Sequence, residues 1–154
     1  MSTAAANATR VRAKKLVTPY PAGSSSRDAQ SFFEGKLAFE TDPADVHHDL
    51  SAGVAAFTVL DVRRPEAYEE CRVPGSVNLP VGRIRESTVQ HLDRDAILIT
   101  YCWGPGCNAS TKAAAGLAAL GFTVREMIGG LEYWRREGYS VEGTEAEDAP
   151  LAGH

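Results

Sequence analysis

A cysteine stands where an apolar run of the sequence ends and a turn begins. Residues 96–101 lead directly into Cys102, and residues 103–106 then separate it from a helix-like stretch that begins near Asn108. A thiol at the mouth of a helix lies close to backbone N–H groups without helical partners and to the positive end of the helix dipole. Both features stabilise a thiolate and lower the pKa of the thiol. The sequence therefore predicts that Cys102 is a nucleophile near neutral pH.

A second cysteine, Cys107, follows five positions later and has two interpretations. It can resolve a sulfenate or a persulfide on Cys102 by forming a disulfide, provided that the two Cα atoms lie within roughly 7 Å of each other. Alternatively, it is a small side chain that is partly buried at the end of the loop. The sequence favours neither interpretation over the other.

Metal binding is not expected. A zinc site would need two ligands in addition to these cysteines, and Cys71, His91 and the pair His47-His48 lack the spacing of a ligand set. The residues therefore predict neither a metal nor any other cofactor.

Length, composition and charge are those of an ordinary soluble domain. The chain has 154 residues, of which 44% are hydrophobic and 23% charged, and this is enough to build a single buried core. The net charge of −4 argues against nucleic acid as a partner. No apolar stretch is long enough to cross a bilayer, and the N-terminus lacks the apolar core of a secretory signal. Three cysteines at irregular spacing fit a reducing compartment, so we expect a cytoplasmic protein.

The apolar pattern predicts strands that alternate with helices, which is typical of an α/β fold with a parallel sheet and helices on both faces. Residues 1–31 are predicted to be a flexible N-terminal arm, residues 32–143 the folded domain and residues 144–154 a frayed acidic tail. The predicted strands are residues 36–40, 57–62, 96–101 and 123–128, with a brief strand within 73–80. The predicted helices are residues 43–51, 65–70, 108–120 and 131–137, with one or two short helices within 83–92.

Two polar side chains follow another predicted strand, and their position relates them to Cys102. Asp61 and Arg63 lie where the strand of residues 57–62 ends. In parallel sheets the ligand site lies beyond the carboxyl ends of the strands, so both segments should face one crevice. A carboxylate and an arginine at such a place most often form a structural pair, and we therefore expect Asp61 and Arg63 to support the site indirectly.

Taken together, the ordered landmarks of this sequence resemble those of the rhodanese-like sulfurtransferases. They are Asp61-Val62-Arg63 with Pro65, Glu66 and Tyr68, then residues 73–80 (VPGSVNLP), then Tyr101-Cys102, then Gly129-Gly130 followed by Trp134 and Gly138. The resemblance covers roughly residues 36–143. It implies a small α/β domain with a central five-stranded parallel sheet.

The resemblance also implies an enzymatic activity. In this family a cysteine takes sulfane sulfur from a small donor, such as thiosulfate or 3-mercaptopyruvate, and holds it as a persulfide. The sulfur then passes to a thiol or cyanide-like acceptor, either a small molecule or a protein. Cys102 matches the catalytic position. The substrate-binding residues implied are those of the loop, namely Trp103, Gly104, Pro105, Gly106, Cys107 and Asn108.

The loop departs from the family pattern because residues 103–108 carry no charged side chain. Many members have arginine at the position of Cys107 and serine at that of Asn108, so thiosulfate is not assured as the donor. The missing arginine also argues against the related phosphatase chemistry, which needs a guanidinium to bind the oxyanion. Two alternatives to a sulfurtransferase stay open: a non-catalytic binding module, and a thiol-redox regulatory module that uses Cys102 and Cys107. A homodimer that packs through the Phe32-Phe33 pair also stays open.

Overall fold

Five parallel strands form one sheet in the computed structural model, which describes residues 25–153. The strands are β1 (Glu40–Thr41), β2 (Phe57–Asp61), β3 (Val77–Asn78), β4 (Ile97–Tyr101) and β5 (Val124–Met127). Their order across the sheet is β1-β5-β4-β2-β3, and every neighbouring pair is parallel. The predicted fold class, an α/β domain with a five-stranded parallel sheet, is confirmed.

The helices flank this sheet and connect its strands. They are α1 (Ser26–Phe39), α2 (Pro43–Ser51), α3 (Pro65–Glu70), α4 (Ala109–Ala119) and α5 (Gly130–Arg136), with 3-10 turns at Val81–Arg83, Glu86–Thr88 and Ala146–Asp148. The predicted start of α2 is confirmed, because the Asp42 side chain accepts a hydrogen bond from Asp45 N at 2.8 Å and Pro43 opens the helix. Within residues 25–153, no helix combines the length and the apolar character needed to cross a membrane.

Alternating side chains of the central strands enter two separate cores, one on each face of the sheet. On β2, Val59 belongs to the first core and Leu60 to the second, and on β4 the same holds for Ile99 and Leu98. The first core lies under α2 and α5 and contains Trp134, which is 2% exposed and anchors α5. The second core lies under α4 and includes Cys102. The reactive loop therefore begins on the α4 face.

The predicted edge strand at residues 36–40 is wrong. Helix α1 continues to Phe39, and only Glu40–Thr41 pairs with β5. The helix starts with a capping box, in which Ser25 Oγ accepts from Asp28 N and the Asp28 carboxylate accepts from Ser25 N. Most of the predicted arm, residues 1–24, lies outside the described residues, and its last residues, 25–31, form the cap and first turns of α1.

Helix α1 has no buried residue and exposes large apolar side chains. These are Phe32, Phe33, Leu37 and Phe39, each more than half exposed. Phe32 and Phe33 contact each other edge to face. A second copy of the chain on this surface stays a prediction.

Residues 144–153, which we call the C-terminal segment, are not frayed, contrary to the prediction. The Arg135 guanidinium donates to the carbonyls of Glu147, Ala149 and Pro150 at 2.7–2.9 Å. Ala149 is buried in the first core. Upstream, Thr144 N and Glu145 N donate to carbonyls at the end of α3. The acidic composition predicted a solvated tail, but hydrogen bonds from Arg135 to three backbone carbonyls hold this segment on the domain.

We predict that Arg135→Met lowers the free energy of unfolding by about 1–2 kcal/mol, because three charge-assisted hydrogen bonds are lost. It should also increase amide hydrogen exchange in residues 144–153. Arg136→Met is the matched control, since Arg136 is exposed and, within residues 25–153, forms its ion pair with Glu132 across one helical turn. The control should change the stability by less than about 1 kcal/mol. Equal exchange in the two variants would contradict this account of the C-terminal segment.

Candidate active site

Cys102 occupies the first position after the carboxyl end of β4. Cys102 is 3% exposed and packs in the second core, beneath α4. Residues 102–107, which we call the cysteine loop, connect β4 to α4. Asn108 holds the N-cap position of α4, but its side chain makes no capping hydrogen bond within the described residues. The thiol thus lies between the end of a central strand and the start of a helix.

The cysteine loop is attached to the start of α5 through its backbone. Leu131 N donates to Cys102 O at 3.0 Å, and Glu132 N donates to Trp103 O at 2.8 Å. This close approach of the loop to the start of α5 requires glycine at position 130, because a Cβ there would lie 2.6 Å from Cys102 O. Gly130 also has a φ of +60°, in the left-handed region. The Gly129-Gly130 landmark therefore serves the loop directly.

These hydrogen bonds also orient the amides of the cysteine loop. In a planar trans peptide the N–H points opposite to the C=O. Because the carbonyls of Cys102 and Trp103 point towards α5, the N–H groups of Trp103 and Gly104 point away from it. At the far end of the loop, Cys107 N donates to Gly104 O at 3.0 Å, which closes the turn. The contact with α5 therefore uses carbonyls of the loop and leaves the N–H groups of Trp103 and Gly104 on the other side of their peptide planes.

Cys102 and Cys107 are joined by a disulfide in this structure. Their Cα atoms are 6.4 Å apart, which lies within the range of protein disulfides. The distance condition of the first interpretation of Cys107 is thus met. In the disulfide form Cys102 has no thiolate, so nucleophilic chemistry requires the reduced loop. Cys71 is a free, buried thiol that belongs to the first core.

A cavity of about 240 Å³ opens beside the disulfide. Five of the predicted residues line it, whereas Trp103 and Gly106 do not. The lining comprises Cys102, Gly104, Pro105, Cys107, Asn108, Ser110, Thr111, Glu126, Met127, Ile128, Gly129 and Gly130. Sequence reasoning missed Ser110, Thr111 and the end of β5. The position of these residues in the fold would have revealed them, because β5 is the neighbour of β4 and ends at the same edge of the sheet.

Asp61 and Arg63 form a buried ion pair, as predicted for a structural role, but neither lines the cavity. Asp61 is fully buried and accepts from Arg63 N, Nε and Nη2. Arg63 Nη2 also donates to Cys71 O. Although burial opposes its charge, the hydrogen bonds and negative charge of Asp61 raise the pKa of Arg63. The guanidinium therefore stays charged.

Tyr101 is the third member of this network, which lies on the opposite face of the sheet from Cys102. Its hydroxyl donates to Asp61 Oδ2 at 2.7 Å and accepts from Val73 N at 3.1 Å. Asp61 and Tyr101 are register partners of β2 and β4, so their side chains share one face of the sheet. Cys102, the next residue, faces the other core. The predicted common crevice is thus divided by the sheet.

Trp103 connects the cysteine loop to the Asp61–Arg63 ion pair. The Arg63 guanidinium lies over its ring, with Cζ 4.4 Å from the ring centroid. A Cβ on Gly153 would lie 2.7 Å from the same ring, so the C-terminal segment covers it as well. The Trp103 side chain therefore fixes the loop to the ion pair instead of lining the cavity.

We predict that Tyr101→Phe costs about 1–2 kcal/mol of stability at pH 7, because Val73 N loses its acceptor and Asp61 loses a donor. Burial raises the pKa of the Tyr101 hydroxyl well above its usual range, and the negative charge of Asp61 adds to this effect. Above about pH 10 this tyrosine ionises only in the unfolded chain, which destabilises the wild type but not the variant.

The stability difference between wild type and Tyr101→Phe should therefore shrink as the pH rises above about 10. Urea unfolding at pH 7, 9, 10 and 11 measures it. A difference that is the same at every pH would show that the hydroxyl is not held protonated by the fold.

Comparison with known proteins agrees with this geometry. The family model for the Rhodanese-like domain matches residues 42–137. The thiosulfate sulfurtransferase GlpE of Pseudomonas syringae is 37% identical over 78 residues, which cover 50% of this chain and 71% of that protein. The HTH-type transcriptional regulator Rv0324 of Mycobacterium tuberculosis is 30% identical over 97 residues, which cover 63% of this chain and 40% of the regulator. The chain thus matches less than half the length of that regulator.

Solved structures give the same result. The BH2092 protein from Bacillus halodurans is 45% identical, with a TM-score of 0.82 over 84% of this chain and 95% of that one. The rhodanese-like domain of the Alr3790 protein from Anabaena is 28% identical, with a TM-score of 0.64 over 75% of this chain and 86% of that one. Because the family match covers more than half of the sequence and the parallel sheet agrees with it, this chain belongs to the rhodanese-like domain family.

Proposed function

We propose that this protein is a sulfurtransferase that carries sulfane sulfur as a persulfide on Cys102. The observation that carries the proposal is the position of Cys102, at the carboxyl end of β4, beside a cavity and before the start of α4. Amides of the cysteine loop that point away from α5 supply donors for a negative charge on sulfur. Similarity to the thiosulfate sulfurtransferase GlpE supports the same activity.

The reaction has two displacement steps. First, the Cys102 thiolate attacks the sulfane sulfur of a donor, a new S–S bond forms, and the donor's leaving group departs with the electron pair. In the second step an acceptor thiolate, or a cyanide-like nucleophile, attacks the terminal sulfur and releases the Cys102 thiolate. No net oxidation occurs over the cycle, and no cofactor is required.

The cycle requires the dithiol form of the cysteine loop. A small dithiol reductant, or a dithiol protein of the reducing compartment, would break the Cys102–Cys107 bond by thiol–disulfide exchange and become oxidised itself. This requirement supports the proposal of a cytoplasmic location, where thiols are kept reduced.

The test is the intact mass of the reduced Cys107→Ser variant after incubation with thiosulfate, 3-mercaptopyruvate or an organic polysulfide and removal of excess donor. We expect an added mass of about 32 Da, one sulfur atom, which cyanide or a thiol then removes. Cys102→Ser/Cys107→Ser is the matched blank and should gain nothing, because Cys71 is buried. Absence of the added sulfur with all of these donors would refute the proposal.

A second function, thiol-redox regulation, is favoured by the disulfide itself. Peroxide oxidises the Cys102 thiolate to a sulfenic acid and is itself reduced to hydroxide, and the Cys107 thiolate then displaces hydroxide from the sulfenic sulfur to form the disulfide. Among the relatives is a transcriptional regulator, so related sequence also occurs in a protein with a regulatory name. The redox function uses the same two sulfurs but needs no sulfur donor.

For this second function we predict that mild peroxide removes two free thiols together from the reduced wild type, with a mass loss of about 2 Da. Cys107→Ser should instead accumulate a sulfenic acid, which dimedone labels. Thiol counting and intact mass measure both results. Loss of a single thiol from the wild type would exclude regulation through this disulfide.

A further inference from the structure

Glu126 lies at the edge of the cysteine loop's cavity, although it is remote from the loop in sequence. It stands on β5 in register with Thr100 of β4, two residues before Cys102. Register partners in a parallel pair place their side chains on the same face of the sheet. Thr100 Oγ1 donates to Ser110 O, so this face looks towards the start of α4.

Two hydroxyls of the first turn of α4 hold the Glu126 carboxylate. Ser110 Oγ donates to Glu126 Oε1 at 2.6 Å, and Thr111 Oγ1 donates to the same oxygen at 2.8 Å. The carboxylate therefore sits at the positive end of the helix dipole, where it offsets part of the positive potential. That potential would otherwise favour an anionic donor arriving at Cys102.

No basic residue balances Glu126 among the described residues that line the cavity. A second carboxylate, that of Glu132, lies against the loop at Gly104, but Arg136 pairs with it at 3.0 Å. The charge at the mouth of the cavity is therefore set mainly by Glu126. A dianion such as thiosulfate would meet a like charge there, and because Glu126 is only partly exposed, solvent would screen that charge incompletely.

We propose that Glu126 makes the Cys102 site selective for uncharged or cationic sulfur compounds over anionic ones. The preferred donor class is then an organic polysulfide without negative charge beside its reactive sulfur. The inference deepens the proposed function, because it assigns a donor class to the same sulfur. It makes Glu126 a specificity-determining residue with no part in bond breaking.

Methanethiosulfonate reagents of opposite charge test this selectivity. The Cys102 thiolate attacks the sulfenyl sulfur of the reagent, a mixed disulfide forms, and methanesulfinate leaves with the electron pair of the broken S–S bond. The 2-aminoethyl reagent carries a positive charge and the 2-sulfonatoethyl reagent a negative one. Rates are measured by intact mass on the reduced Cys107→Ser protein, with Cys102→Ser/Cys107→Ser as the blank for Cys71.

The readout is the ratio of the aminoethyl rate to the sulfonatoethyl rate, divided by the same ratio for 2-mercaptoethanol. We expect a normalised ratio of about ten or more at low salt, and a decrease of roughly three- to tenfold in Glu126→Gln. Increasing the ionic strength should also reduce the ratio. Because the thiolate fraction affects both reagents equally, a changed thiol pKa does not alter this readout.

A control variant separates the position of the removed charge from the mere loss of one. Glu86→Gln removes one negative charge near Arg94, which donates to Leu120 O at the opposite end of α4, and it should change the ratio by less than about twofold. An unchanged ratio in Glu126→Gln, or an equal change in Glu86→Gln, would overturn the inference.

These rates decide the role of Glu126 independently of sulfur transfer. If no donor places sulfur on Cys102 while the ratio still falls in Glu126→Gln, the proposed function fails but the charge selectivity stands. If sulfur is transferred and the ratio does not respond to Glu126, the enzyme stands and the selectivity fails.

Discussion

Two backbone hydrogen bonds between the cysteine loop and the start of α5 are the constraint on which the site depends. They run from Leu131 N and Glu132 N to the first two carbonyls of the loop. Only a residue without a Cβ at position 130 allows the two segments to approach so closely. With those carbonyls directed towards α5, the following N–H groups point the other way. The orientation of the amides that follow Cys102 therefore depends on Gly130, which belongs to α5 and not to the loop.

The sheet divides structural and chemical groups between its two faces. The buried network of Asp61, Arg63 and Tyr101 lies with the first core, whereas Cys102 lies with the second. Buried charges are costly unless they are paired and hydrogen-bonded, and Asp61 is bonded both to Arg63 and to Tyr101. Trp103 links this network to the loop by its contact with Arg63. A residue can thus support the site without lining the cavity.

Local patterns were sufficient to predict most of the fold, because the central strands β2 and β4 are short apolar runs and α2 begins with an N-cap followed by proline. They failed where distant residues decide. The C-terminal segment is held by Arg135, and no pattern within the segment shows this. The importance of Glu126 depends on the register of β5 with β4. The alternation of residues 36–40 predicts a strand, but in the structure these residues continue and end a helix that is capped at Ser25.

The central claim is that the loop stabilises a negative charge on the sulfur of Cys102. The most direct measurement is the rate of iodoacetamide alkylation against pH in reduced Cys107→Ser, corrected with Cys102→Ser/Cys107→Ser. The account predicts a midpoint at least about one pH unit below the ~8.5 of free cysteine. A midpoint at or above that of free cysteine would contradict it.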